Sequence, residues 1–245
     1  MIPEKQINEF ITRAREAAGD SLQSVILYGS AATGDFHPEY SNVNLLCVLR
    51  DTSYRTLDKL APAVAWWDRA KHPAPLVMTQ DELKRSADVF SIEVFDIKQR
   101  HRVLFGEDVL ATLEIPMHLH RAQLEYELRE KLILLRERLL IAVGNKDRMW
   151  ELLLRSLPAF TTLFRHTLMA MGQPLPNAKR ETVDILSRRI GFDPSAFYQL
   201  LDLREKKAER SQFDVTDVFA RYLTAVEQVT ATVDTMLDST GPQKS

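Results

Sequence analysis

Apolar side chains recur at helical spacing over residues 4–18, where Ile7, Phe10, Ile11 and Ala14 share one face before Gly19-Asp20 ends the pattern. The period then changes. Residues 24–28 and 43–49 are short apolar runs bounded by turn formers, and they predict two buried strands with a Gly-rich turn between them. Helical spacing returns over 54–70 through Leu57, Leu60, Val64 and Trp67. Residues 75–79 predict a third strand, and Thr79-Gln80-Asp81-Glu82 has the form of a capping box opening a short helix through Ala87. A fourth strand is predicted at 103–105, ahead of Gly106-Glu107-Asp108.

From Pro116 onward the strand pattern disappears. Leu124, Leu128, Leu132, Leu135 and Leu139 mark a long amphipathic helix ending near Gly144. A second begins near Asp147 and buries Trp150, Leu153, Leu157, Phe164 and Leu168, with Pro158 expected to bend it. Asn177 predicts the N-cap of a helix closing at Gly191, and Asp193-Pro194 opens the next. A final stripe from Val215 through Tyr222 and Val229 to Leu237 predicts a helix over 214–237. The expected division is an α/β, mixed-sheet domain at 1–115, an antiparallel all-α bundle at 116–238 and a frayed tail at 239–245.

The 245 residues, 45% of them hydrophobic, suffice for a substantial core. A net charge of −2 gives no basic footprint for general nucleic-acid binding, so a polymerase-like partner is disfavoured. The one cysteine, Cys47, sits inside an apolar run and reads as a core residue. With no disulfide available, no signal-like segment near the start and no run of 18 apolar residues, the expectation is a cytoplasmic protein that does not span a membrane.

The chemistry concentrates in Tyr28-Gly29-Ser30-Ala31-Ala32-Thr33-Gly34 and in Tyr40-Ser41-Asn42-Val43-Asn44-Leu45-Leu46. A strand, a Gly-rich turn and a second strand could belong to any α/β domain. The stretch from Val25 to Leu49, however, resembles the nucleotidyltransferase superfamily related to DNA polymerase beta. It is most similar to the bacterial aminoglycoside adenylyltransferases and their relatives. The resemblance implies that Gly29, Ser30 and Gly34 hold nucleotide phosphates through backbone N–H groups and a hydroxyl. It further implies Mg²⁺ and ATP or another NTP as cofactors, a small hydroxyl-bearing acceptor, and transfer of a nucleoside monophosphate to it.

In that family the second strand opens with Ser-Asp-x-Asp, two carboxylates on one side of a strand that hold Mg²⁺ against the triphosphate. Here Asn42 and Asn44 occupy those positions. Asn keeps the shape and a carbonyl ligand but carries no charge, whereas metal ions held about 3.5–4 Å apart need anionic ligands between them. The expected counterpart of the family's third carboxylate, within 73–78, holds no acid. Glu93 or Asp96 could substitute if residues 90–96 formed a neighbouring strand, although alternating polar residues are also what a solvent face provides. The reading is therefore a catalytically degenerate nucleotidyltransferase fold. The alternatives are an active divergent enzyme using Asn42, Asn44 and Glu93 or Asp96, and a non-enzymatic scaffold whose bundle forms an oligomer.

Other residues carry weaker signals. Glu125, Glu127 and Glu130 could form the acidic wall that receives a cationic acceptor, or a solvated helix face. His101, His118 and His120 lack the companions a metal site needs. Arg204–Arg210 reads as a basic helix end. Arg165-His166 does not reproduce the spaced Arg and His of the RNase motif in the HEPN domains that accompany small nucleotidyltransferases. Trp66-Trp67 reads as core, with an interface as the alternative.

Overall fold

A computed structural model describes residues 2–33, 36–37 and 40–238 of the chain. Two compact units emerge, Met1–Met117 and His118–Ser245. The predicted tail at 239–245 lies outside the described residues.

The first unit is a four-stranded sheet in the order β3-β2-β1-β4, formed by β1 (Leu22–Tyr28), β2 (Asn44–Leu49), β3 (Leu76–Thr79) and β4 (His101–Gly106). β1 pairs antiparallel with β2 and β4, and β2 pairs parallel with β3. Alternation along the strands sorts their side chains into two cores. Val25, Leu27, Leu45, Cys47 and Leu49 pack with Ile7, Phe10 and Ala14 of α1 (Glu4–Ala18) and with Leu60 and Trp67 of α3 (Tyr54–Arg69). Ile26, Leu46 and Val48 point the other way, onto Leu83 of α4 (Gln80–Ser86) and onto Val94 and Ile97 of α5 (Ser91–Gln99). A sheet covered on both faces explains why β1 and β2 read as unbroken apolar runs. Cys47 lies wholly inside, and burial pushes its thiol up to about 12, which keeps it protonated and unreactive.

The capping box is present: the Thr79 hydroxyl accepts from the Glu82 amide at 3.0 Å, and the Glu82 carboxylate accepts from the Thr79 amide at 2.7 Å. Trp67 is buried and donates to the Pro73 carbonyl at 2.9 Å, while Trp66 lies at the surface edge beneath the Arg13 guanidinium. Residues 91–99 form a helix and not the neighbouring strand on which a role for Glu93 or Asp96 was conditional. The reason is packing. Val94 and Ile97 are three apart, so a helix brings both onto the sheet, whereas a strand would turn them to opposite sides.

Among its described residues the second unit has five α-helices: α6 (His120–Ala142), α7 (Lys146–Ala170), α8 (Lys179–Ile190), α9 (Ser195–Arg204) and α10 (Val215–Asp238). Gly191 ends α8 in the left-handed conformation as predicted, but its N-cap is Ala178, one residue beyond Asn177. The middle of the bundle is an aromatic cluster of Phe160, Phe164, Phe192, Phe197 and Tyr222.

Pro158 sits inside α7 without ending it. Having no N–H, it leaves the Leu154 carbonyl without its helical donor. Buried Arg204 of α9 fills that place, donating to the Leu154 oxygen at 2.9 Å. Pro62 in α3 needs no such partner, because the turn around it faces solvent. Arg204→Met should therefore lose about 2–4 kcal/mol of stability in urea unfolding. Adding Pro158→Ala, which restores an N–H at that position, should recover about 1 kcal/mol of it. Equal losses with and without Pro158→Ala would remove this explanation.

Candidate nucleotide site

β1 ends at Tyr28, and the chain turns at Gly29, whose φ of 73° falls in the left-handed region that favours glycine. A single helical turn, α2 (Ser30–Thr33), follows at once. The Ala32 amide closes the turn on the Gly29 carbonyl at 3.0 Å, and the Thr33 hydroxyl donates to the Ser30 carbonyl at 3.4 Å. Backbone that reverses in this way directs successive N–H groups outward and suits an anion.

Strand pairing decides what faces the turn. Tyr28 lies directly opposite Asn44 of β2, and this register carries the Asn44 side chain onto the turn. A Cβ placed on Gly29 would lie 3.2 Å from Asn44 Nδ2. Gly29 is thus required twice, for its backbone angle and for the space the amide occupies. Asn42 is two residues earlier, exposed and ahead of the first ladder pair. The connection leading to it is tied by the His37 amide donating to Ser41 Oγ at 3.0 Å and by stacked His37 and Tyr40 rings. Gly34 lies outside the described residues.

On its other side Tyr28 pairs with His101 of β4. Burial first, and the negative charge of Glu93 second, push the Tyr28 phenol above its ordinary value. Asp96 is one helical turn beyond Glu93 on α5 and partly buried. His101 contacts the Lys98 carbonyl through Nδ1 at 3.0 Å and Asp108 through Nε2 at 3.2 Å.

At this strand end the structure brings together the Gly29-Ser30 turn, Asn44, Tyr28 and His101. Sequence alone gives Tyr28 no role beyond opening the motif and does not place His101 at this site. The signal for Tyr28 was its place as the last strand residue before the turn, but the pairing that brings His101 beside it spans 73 residues and is invisible to local pattern.

The donors among the described residues do not fit a two-metal centre. Among the described residues the turn is faced by a neutral amide and hydroxyls, with no anionic pair shown to bridge two cations. Among the described residues no three His, Cys, Asp or Glu side chains gather as metal ligands.

In the bundle, Glu125 pairs with Arg129 at 2.7 Å, Glu127 with Lys131, and Glu130 lies 3.7 Å from Lys131, so each carboxylate has a cation on its own helix. His120 is hydrogen-bonded to His166 at 2.8 Å within the bundle core. Arg165 and His166 are both buried.

Residues 7–102 match the family model described as a nucleotidyltransferase domain. No curated protein matches the chain. Among solved structures it is similar to spectinomycin adenyltransferase AAD(9) from Enterococcus faecialis, solved with ATP and spectinomycin. That likeness has a TM-score of 0.58 at 12% identity and covers 94% of this chain and 99% of that one. At such identity the likeness is one of fold: a mixed-sheet domain followed by a helical region, as the motif implied.

Proposed function

We propose that this protein, whose residues 7–102 match the model of a nucleotidyltransferase domain, binds a nucleoside triphosphate at the Gly29-Ser30 turn and is impaired in transferring the nucleotide to an acceptor. One observation carries the second half. The side chain packed against the turn is Asn44, a neutral amide, where the family's motif has a carboxylate. Mg²⁺ bound by carboxylates would neutralise the triphosphate and polarise the α-phosphorus. The described residues do not fit that pair of ions.

What these residues can do is bind. The N–H groups following Gly29 and the Ser30 hydroxyl suit phosphate oxygens. The Asn44 amide, from beside the turn, can donate to an anion where a carboxylate would repel it. Such a site is less dependent on a divalent cation than one built on acids.

A second reading has its own support. The negative charge of Glu93 is the second cause of the raised Tyr28 phenol, which supports a role for that carboxylate as a base or as a lone metal ligand in a divergent enzyme. In that case transfer to a small hydroxyl acceptor would persist and Glu93→Gln would abolish it.

Calorimetric titration with ATP and GTP, each in Mg²⁺ and in EDTA, tests the proposal. Expected is binding whose dissociation constant changes by less than about threefold when the metal is removed, a difference under about 0.7 kcal/mol. A dependence on Mg²⁺ of tenfold or more would overturn the neutral-site reading in favour of the divergent enzyme. Absence of binding under both conditions would remove nucleotide recognition and leave the fold as a scaffold.

A further inference from the structure

The outer face of α6 carries large apolar side chains into solvent. Leu140 is 81% exposed, Ile141 73% and Ile133 53%, with Leu134 and Tyr126 beside them. At 100° per residue, Tyr126, Ile133, Leu134, Leu140 and Ile141 fall in one stripe about 24 Å long. Their exposed area is roughly 600 Å², the upper end of what a monomer's largest apolar patch reaches and most of the ~800 Å² per partner of a specific interface. Next to it a groove of about 490 Å³ between α6 and α7 is shared by Leu134 and Ile141 and rimmed by Arg138 and Arg148.

The stripe is symmetric about one residue. Ile133 and Leu134 lie four and three positions before Glu137, and Leu140 and Ile141 lie three and four after it. Glu137 and its neighbour Arg138 are both exposed, and neither has an ion-pair partner among the described residues. We infer that this face is a self-association surface, on which a second copy of the chain packs its α6 antiparallel across a two-fold axis through Glu137.

Helix geometry supplies the pairing. A two-fold axis there sets Leu134 against Ile141 of the second copy on one flank and Ile133 against Leu140 on the other, each contact occurring twice. It also sets the two copies of Glu137 beside each other on the axis, where Arg138 of each copy lies within reach of the other's Glu137 and offsets their repulsion. An acidic or a basic partner protein would satisfy only one of Glu137 and Arg138. The inference does not depend on nucleotide binding.

Sedimentation velocity of the full chain over a concentration series tests it. The wild type is expected to form a dimer, and Leu140→Lys with Ile141→Lys is expected to weaken it by at least about 30-fold. Because both residues are exposed, circular dichroism should remain unchanged. Glu137→Arg alone should weaken the dimer, and Glu137→Arg with Arg138→Glu should restore it, since the swapped charges pair again across the axis. Tyr54→Lys, at an exposed residue of the first unit, should leave it intact. A wild type that stays monomeric at every concentration, a dimer indifferent to the lysine pair, or a charge swap that fails to restore association would each overturn the inference.

Discussion

Gly106→Ala is expected to cost at least about 4 kcal/mol and to leave little folded protein at 37 °C. Gly106 ends β4 with φ at 78°, a conformation in which an L side chain is strained. Space is the larger problem. A Cβ there would lie 1.9 Å from the Gln23 carbonyl oxygen and 3.0 Å from the Ser24 Cα, both backbone atoms of the central strand that have no rotamer to change. Gln23 or β4 would have to move, and the register between Ser24 and Gly106 would go with it. The buried Ser24 hydroxyl, which donates to the Phe105 and Glu107 carbonyls at 3.1 and 2.9 Å, would lose its place as well. Urea unfolding of the variant, or its recovery in inclusion bodies, measures the effect. A loss below about 1 kcal/mol would mean that the strand end is far more pliable than the packing implies.

Replacing Asn42 and Asn44 together by Asp is expected to make ATP binding depend on Mg²⁺ by at least about tenfold, or 1.4 kcal/mol. Two carboxylates at the turn repel the triphosphate when no cation is present and hold one when it is, so affinity should fall in EDTA and rise in Mg²⁺. Asn44→Asp alone should account for more of the change than Asn42→Asp. Asn44 is fixed by its pairing with Tyr28 and packed on Gly29, whereas Asn42 is exposed and precedes the ladder. The comparison is calorimetric, wild type against single and double variants, with release of pyrophosphate as a second readout. If the wild type already shows the Mg²⁺ dependence of the double variant, its native site works without those acids and the proposed degeneracy is wrong.

Much of the fold was legible locally. The runs at 24–28 and 43–49 could be read as strands because β1 and β2 are covered on both faces and therefore apolar throughout. Thr79 and Glu82 announced their helix because a capping box closes within four residues. Residues 90–96 were different. Their alternation fits a strand, and only the demand that Val94 and Ile97 face the sheet together makes them helical. Pro158 likewise announced a bend and a missing donor, but the group that fills the gap, Arg204, lies 46 residues away in another helix.

By itself the sequence determined the order of strands and helices, the Gly29-Ser30 turn and the neutrality of positions 42 and 44, because period, turn chemistry and charge are properties of neighbouring residues. Tertiary structure alone decided that Asn44 lies against Gly29, that Tyr28 sits between Asn44 and His101, and that the apolar stripe of α6 faces outward. Strand register and helix docking are settled by contacts between residues far apart in the chain. The energy of such contacts depends on which faces meet, a property that no local window of sequence contains.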